Sequence, residues 1–166
     1  MGERGLLQLV RRFNNVTLAE LEGAGYLPFT FHRARIGTVD PAVVDQLRTF
    51  GDVFTVHPDR VQLNDKLTTY EQRSEAVRTF LEEMRERKVF PTLAGWRNEC
   101  YEIRPRFSQV PIFKMERSGT PLFGLRQYGV HINGFVQTSE KEKSIWIQRR
   151  SKTKPTYPGK LGKLLT

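Results

Sequence analysis

Four cations near the end of the chain are the residues best suited to bind a charged ligand. They are Arg149, Arg150, Lys152 and Lys154. The apolar segment 144–148, which we expect to be a buried strand, leads directly into them, and a turn at Tyr157-Pro158-Gly159 follows. Guanidinium and ammonium groups neutralise phosphate oxygens. A strand that delivers such a cluster to a turn therefore predicts a site for a small-molecule diphosphate.

The distribution of charge supports a local anion site. The chain has 166 residues and a net charge of +9. Residues 141–166 contribute +7 of this, whereas residues 1–140 are close to neutral at +2. A solvated basic tail is the alternative that charge alone leaves open. Trp146 and Tyr157 among the cations also leave open binding of nucleic acid or another polyanion, although the remaining surface has little charge to extend such a footprint.

Other residues with reactive or metal-binding side chains do not form a recognisable site. His32, His57 and His131 are far apart in the sequence, so no metal site is expected from them. Cys100 is the only cysteine, which excludes an internal disulfide, and its position in a strand pattern predicts a buried side chain. No apolar run reaches membrane-spanning length. We expect a cytoplasmic protein without a membrane partner, with import into an organelle left open.

Helix and strand patterns alternate along the chain. Helices are predicted over 5–15, from a Thr17 cap to Gly23 or Gly25, from Pro41 to Gly51, and from Thr68 or Thr69 to about Lys88. Strands are predicted over 26–39, 53–57, 60–63, 99–104, 111–115, 129–138 and 144–148. The fold class is therefore α+β. Residues 1–125 form a mixed helix and strand domain, and residues 126–166 begin a second domain with a β-hairpin.

Two segments of the second domain resemble the opening of a Nudix hydrolase domain. They are Tyr128-Gly129-Val130-His131-Ile132-Asn133-Gly134-Phe135-Val136 and the run from Ile145 to Leu161. The resemblance is to the subgroup related to thiamine pyrophosphokinase. Residues 1–125 are similar to the helper domain that precedes the Nudix domain in that subgroup. The matching sequence segments are Gly95–Tyr101 and Pro121-Leu122-Phe123-Gly124. This resemblance implies an incomplete Nudix α/β/α domain after the helper domain.

The resemblance also implies an activity and roles for individual residues. Enzymes of this subgroup use Mg²⁺ or Mn²⁺ to cleave oxidised or damaged thiamine diphosphates, which are released as monophosphates. Diphosphate contacts would fall to the four cations described above. The aromatic side chains that could stack on the organic ring of the substrate are Trp96, Tyr128 and Trp146.

The sequence departs from this family after Leu161. The glutamate-rich Nudix box should follow Pro158-Gly159, but the chain reads Gly162-Lys163-Leu164-Leu165-Thr166 and ends. We therefore expect a truncated or alternatively spliced form, with no catalytic residues, no bound metal and no turnover on its own. Its hairpin would lack sheet partners, so Ile145 and Ile147 would be exposed and could cause self-association.

Overall fold

The computed structural model describes residues 3–140, 142–154, 157–162 and 164–165. The α-helices are α1 Glu3–Phe13, α2 Leu18–Gly23, α3 Pro41–Arg48 and α4 Tyr70–Glu86. The strands are β1 Leu27–Phe31, β2 Ala34–Val39, β3 Phe54–Val56, β4 Val61–Leu63, β5 Cys100–Ile103, β6 Phe113–Glu116, β7 His131–Ile132, β8 Phe135–Gln137, β9 Lys143–Ile145, β10 Gln148–Arg149, β11 Leu161–Gly162 and β12 Leu164–Leu165. Two 3-10 helices span Pro91–Gly95 and Arg117–Phe123. The predicted α+β class is confirmed.

The chain divides after Arg126 into two compact units, Met1–Arg126 and Gln127–Thr166. We call them the first unit and the second unit. The first contains the four α-helices that the structure describes, a four-stranded sheet and the β5–β6 hairpin. The second contains only short strands in two-stranded pairs among its described residues. The interpretation of residues 1–125 as a helper domain and 126–166 as the start of a Nudix domain stays a prediction.

The sheet of the first unit is mixed, with the strand order β2-β1-β4-β3. β1 pairs antiparallel with β2 and parallel with β4, and β3 pairs antiparallel with β4. The single strand predicted over 26–39 is therefore wrong, because a reversal at His32 and Arg33 divides it into β1 and β2. His32 has a φ of 50°, and this left-handed conformation turns the chain back on itself. The hairpin predicted around Pro58-Asp59 is confirmed.

The helices α2, α3 and α4 begin at side-chain caps that the sequence indicates. Thr17 and Glu20 form a reciprocal capping box at α2, and Thr69 forms the same arrangement with Gln72 at α4. Asp40 Oδ1 accepts a hydrogen bond from the backbone N–H of Ala42 at 2.8 Å, at the start of α3. Such caps satisfy backbone donors that the first turn of a helix leaves without partners.

The core of the first unit lies between α4 and the four-stranded sheet. Val77, Phe80, Leu81 and Met84 form the buried stripe of α4. Tyr70 and Ala76 of the same helix are half-buried. The stripe also contacts β6, which places the β5–β6 hairpin against the helix. This packing fixes the segment that carries Trp96 and Cys100.

A close backbone approach joins β2 to the end of the second 3-10 helix. Gly124 follows that helix with a φ of 52°, in the left-handed region. A Cβ atom at Gly124 would lie 2.4 Å from the carbonyl oxygen of Thr38. Only glycine fits both the conformation and this approach. The segment Pro121-Leu122-Phe123-Gly124 therefore has a structural role.

Replacing Gly124 with alanine should lower the free energy of unfolding by about 2 kcal/mol, because alanine is strained in the left-handed region and crowds Thr38. Urea denaturation of the purified protein measures this loss. Gly51→Ala is the matched control, since Gly51 lies in the same unit and has no atom within 4 Å of its added Cβ. Equal stability of the two variants would contradict the requirement for glycine at 124.

The strands observed in the second unit differ from those predicted. The strand expected over 129–138 is divided into β7 and β8, and the one expected over 144–148 into β9 and β10. The predicted burial of 144–148 is wrong, because Ile145, Trp146 and Ile147 are 64%, 69% and 64% exposed. The related expectation that Ile145 and Ile147 would be exposed is confirmed. Each strand here has one hydrogen-bonded neighbour in the described part of the chain, so no sheet face covers these side chains.

Candidate functional site

The four predicted diphosphate-binding cations lie on one turn, residues 149–160, which we call the basic turn. The strands on either side of it pair antiparallel, with Arg149 opposite Leu161. The ladder continues into the turn, because the backbone N–H of Arg150 donates to the carbonyl oxygen of Lys160 at 2.9 Å. The turn is thus anchored at both ends by strand pairing. Pro155 and Thr156 lie outside the described residues.

Hydrogen bonds to Ser151 organise the interior of the basic turn. Its carbonyl oxygen accepts from the backbone N–H groups of Lys154 and Gly159, both at 3.3 Å. Its hydroxyl oxygen accepts from the backbone N–H of Thr153 at 3.1 Å. Tyr157 and Gly159 have φ values of 51° and 69°, so left-handed residues complete the reversal. The predicted turn at Tyr157-Pro158-Gly159 therefore closes back on Ser151.

The cations differ in their surroundings. Arg149 is exposed, and its guanidinium Nη1 donates to the carbonyl oxygen of Gly159 at 3.1 Å. Arg150 is half-buried. Lys152 and Lys154 are exposed and make no ion pair with any residue that the structure describes. Successive residues of a strand face opposite sides, so Arg149 and Arg150 would approach a ligand from different directions.

The three predicted stacking residues are divided between the two units. Tyr128 and Trp146 belong to the second unit and are exposed. The backbone N–H of Trp146 donates to the carbonyl oxygen of Gly134 at 2.9 Å, which fixes the chain at the base of that side chain. Trp96 belongs to the first unit, where it is half-buried in a cleft.

The cleft beside Trp96 has a volume of about 330 Å³ and lies entirely within the first unit. We call it the Trp96 cleft. Trp96, Asn98 and Cys100 line it from the segment 96–100, which bends at Asn98, and Lys114 lines it from the neighbouring strand β6. Arg78 and Glu82 on α4 form its other side. Trp96 could be identified from sequence, whereas Asn98 and Lys114 could not, because the bend at Asn98 and the pairing of β6 with β5 bring them to the cleft.

Cys100 is exposed, so the prediction that it is buried is wrong. It begins β5, the outer strand of a two-stranded hairpin, where the Trp96 cleft leaves its side chain accessible. Partial desolvation raises the pKa of the Cys100 thiol, and the carboxylate of Glu116 raises it further, while Lys114 opposes this effect. The thiol is therefore accessible but largely protonated at neutral pH.

Glu116 holds the segment that forms the Trp96 cleft. Its carboxylate is buried, with Oε1 accepting from the backbone N–H groups of Arg97 at 3.1 Å and Ser118 at 3.3 Å. Oε2 accepts from the backbone N–H of Glu99 at 3.1 Å. Three backbone donors thus converge on one carboxylate. Glu116 is a positioning residue, because its oxygens are already used within the protein.

The family resemblance implies a divalent metal, and the described residues do not fit one. Among residues 3–140, 142–154, 157–162 and 164–165, no three His, Cys, Asp or Glu side chains lie together as metal ligands would. In the same part of the chain, no helix combines the length and apolar character that crossing a membrane requires.

Comparison with known proteins relates the chain to Nudix hydrolases. It is 35% identical over 164 residues to Nudix hydrolase 24, chloroplastic, of Arabidopsis thaliana, which covers 97% of this chain and 43% of that protein. It is 36% identical over 149 residues to Nudix hydrolase 20, chloroplastic, of the same plant, covering 84% and 39%. An uncharacterized protein of Saccharomyces cerevisiae is 29% identical over 143 residues, covering 82% and 41%.

This chain of 166 residues spans about two fifths of the length of these relatives. Residues 5–127, nearly all of the first unit, match a family model described as "Domain of unknown function (DUF4743)". The chain therefore belongs to the DUF4743 family.

Proposed function

We propose that the basic turn binds the diphosphate of an organic diphosphate, and that the whole protein hydrolyses such a molecule to its monophosphate. A thiamine-diphosphate-like substrate, oxidised or damaged, is the class that the sequence resemblance favours. The observation that carries this proposal is a turn bearing four cations and anchored by strand pairing, in a chain related to Nudix hydrolases.

Charge and geometry explain why such a turn suits a diphosphate. Hydrolysis adds one water across a P–O bond of the diphosphate and yields the organic monophosphate and inorganic phosphate. The role of the basic turn is to bind and orient the charged group. Lys152 and Lys154 are exposed. Arg149 uses one guanidinium nitrogen to hold the carbonyl oxygen of Gly159, and its other guanidinium N–H groups can donate to a phosphate.

The organic ring would lie against an aromatic side chain of the same unit. Tyr128 and Trp146 are both exposed and offer flat surfaces for stacking. A cationic ring such as that of thiamine would also gain a cation–π attraction to an aromatic face. Trp96, which belongs to the first unit, lies in a cleft that offers a different set of groups.

Titration with thiamine diphosphate, followed by NMR, tests the binding step. We expect shifts confined to residues of the basic turn and to the aromatic residue on which the ring stacks, Tyr128 or Trp146, with a Kd of about 1 mM. Arg149→Ala should raise this Kd roughly tenfold, because it removes a charged hydrogen-bond donor. Lys143→Ala is the matched control, since Lys143 is an exposed cation of the second unit that packs over the Phe135 ring, outside the turn.

Binding of nucleic acid or another polyanion is the alternative function. Neutralising several phosphates would make affinity fall steeply with salt concentration. A short single-stranded oligonucleotide, titrated at low and high salt, separates the two functions. Micromolar, salt-sensitive oligonucleotide binding that the double variant Arg149→Ala/Arg150→Ala abolishes, with no shift from thiamine diphosphate, would overturn the diphosphate proposal.

A further inference from the structure

The Trp96 cleft is independent of the basic turn. All its lining residues belong to the first unit, and none of the four cations of the turn contributes to it. Its volume of about 330 Å³ falls at the lower end of the range for small-molecule sites. Such sites combine apolar or aromatic surface with a few polar groups that fix the orientation of a ligand.

The indole of Trp96 is held in place before any ligand binds. Its Nε1–H donates to Oδ1 of Asn98 at 2.9 Å. The guanidinium of Arg85 lies 4.9 Å from the ring centroid, a cation–π contact on one face. These two contacts orient the ring, and Met115 adds a buried apolar surface to the same cleft. A rigid aromatic wall favours a flat ligand, because little side-chain entropy is lost on stacking.

The polar groups that remain in the cleft are donors and cations. Asn98 uses its oxygen to hold Trp96, which leaves its amide N–H groups without a hydrogen-bond acceptor among the described residues. The ammonium of Lys114 makes no ion pair with a described residue. Asn98 adopts a φ of 56°, in the left-handed region, and it lines the cleft together with Trp96 and Cys100.

The carboxylates of the cleft already have partners. Glu82 accepts two hydrogen bonds from Arg78, at 2.8 and 2.9 Å, and Arg78 also pairs with Glu75. Glu116 accepts from three backbone N–H groups. The acidic groups are therefore satisfied within the protein, whereas Lys114 and the amide of Asn98 can still bind an acceptor. These remaining hydrogen-bond donors and the positive charge of Lys114 favour an anionic ligand.

We propose that the Trp96 cleft binds a small flat organic anion: an aromatic ring that stacks on Trp96 and carries a phosphate or carboxylate group. The ring lies against Trp96 and Met115, and its anionic group accepts hydrogen bonds from Lys114 and the Asn98 amide. This site would give the first unit a ligand of its own, whether or not the diphosphate proposal for the second unit holds.

Phenyl phosphate is the probe, and the chain offers two reporters. Trp146→Phe makes Trp96 the only tryptophan, so its fluorescence reports on the cleft. Cys100 is the only cysteine and lines the cleft, so its rate of alkylation by iodoacetamide reports on access to it. We expect a saturable fluorescence change with a Kd of about 1 mM, and roughly tenfold slower alkylation at saturation.

Matched ligands and variants identify what the ring, the anionic group and Lys114 each contribute to binding. Phenol supplies the ring without the charge and inorganic phosphate the charge without the ring, so neither should produce both signals at the same concentration. Lys114→Met should weaken phenyl phosphate binding roughly tenfold. Lys66→Met, which removes an exposed lysine of the same unit outside the cleft, should leave it unchanged within twofold. Thermal unfolding of both variants checks that they fold.

Three results would overturn the proposal. One is the absence of any saturable change with phenyl phosphate up to about 10 mM, a concentration well above the expected Kd. Another is an equal response to phenol or to inorganic phosphate. The third is unchanged affinity in a folded Lys114→Met variant. Binding that survives removal of Lys114 but is lost in Trp96→Ala would show an apolar pocket without a role for the anionic group.

Discussion

Replacing Phe123 with alanine should lower the free energy of unfolding by about 4 kcal/mol, because it removes a fully buried ring from the centre of the core. Phe123 is 1% exposed. Its ring centroid lies 5.0 Å from that of Phe29, 5.6 Å from Phe54 and 6.1 Å from Phe80. The ring thus joins β1, β3 and α4 to the 3-10 helix that carries it. Alanine would leave a cavity that three aromatic neighbours cannot easily fill.

Urea denaturation followed by circular dichroism at 222 nm measures this effect. Phe107→Ala is the control, because Phe107 belongs to the same unit and is 72% exposed. It should change the stability by less than about 0.5 kcal/mol. A loss in Phe123→Ala no larger than that in Phe107→Ala would mean that the four aromatic rings do not form a cooperative core.

The starts of α2, α3 and α4 could be predicted because their causes are local. Thr17, Asp40 and Thr69 each cap a helix through a contact with a residue two or three positions later. A side chain that satisfies a neighbouring backbone N–H does so whatever the rest of the fold is. These three starts follow from sequence, and so does the hairpin around Pro58-Asp59.

The reversal at His32 could not be predicted in the same way. Its sequence, Phe31-His32-Arg33-Ala34, contains neither glycine nor proline, and the segment on each side has strand-forming residues. The reversal lets β1 pair with β2 on one side and with β4 on the other. The partner β4 is distant in sequence, since Phe29 lies opposite Val61, and a local pattern does not contain it.

The two candidate sites also differ in whether they could be predicted from sequence. The basic turn is a run of neighbouring residues, so its cations could be identified from sequence. The Trp96 cleft depends on the pairing of β5 with β6, which sets Cys100 opposite Glu116 and Glu102 opposite Lys114, so that Lys114 lines the same cleft as Asn98. The exposure of Cys100 also depends on how β5 pairs with β6. A strand pattern predicts that a side chain alternates between two faces, but the fold decides which face is covered.

The carboxylate of Glu116 provides a direct test of how the Trp96 cleft is built. Glu116→Ala should lower the free energy of unfolding by about 3 kcal/mol, because three backbone N–H groups around a buried site lose a charged acceptor. Glu116→Gln should cost less, since the amide keeps one acceptor oxygen. Because the donors belong to Arg97, Glu99 and Ser118, the variant should also loosen the segment that presents Trp96.

Two measurements separate the effect on stability from the effect on the cleft. Urea denaturation gives the loss of stability, and the fluorescence of Trp96 in the Trp146→Phe background shows whether its ring becomes more exposed to solvent in the folded protein. Glu102→Ala is the matched control: Glu102 is an exposed carboxylate of the same hairpin that pairs with Arg104. Surface ion pairs contribute about 0 to 1 kcal/mol, so this variant should remain close to the wild type in both measurements. If Glu116→Ala matched Glu102→Ala in stability and in Trp96 emission, the buried carboxylate would not be what fixes the cleft, and its shape would have to come from the contacts of Trp96 with Arg85 and Asn98 alone.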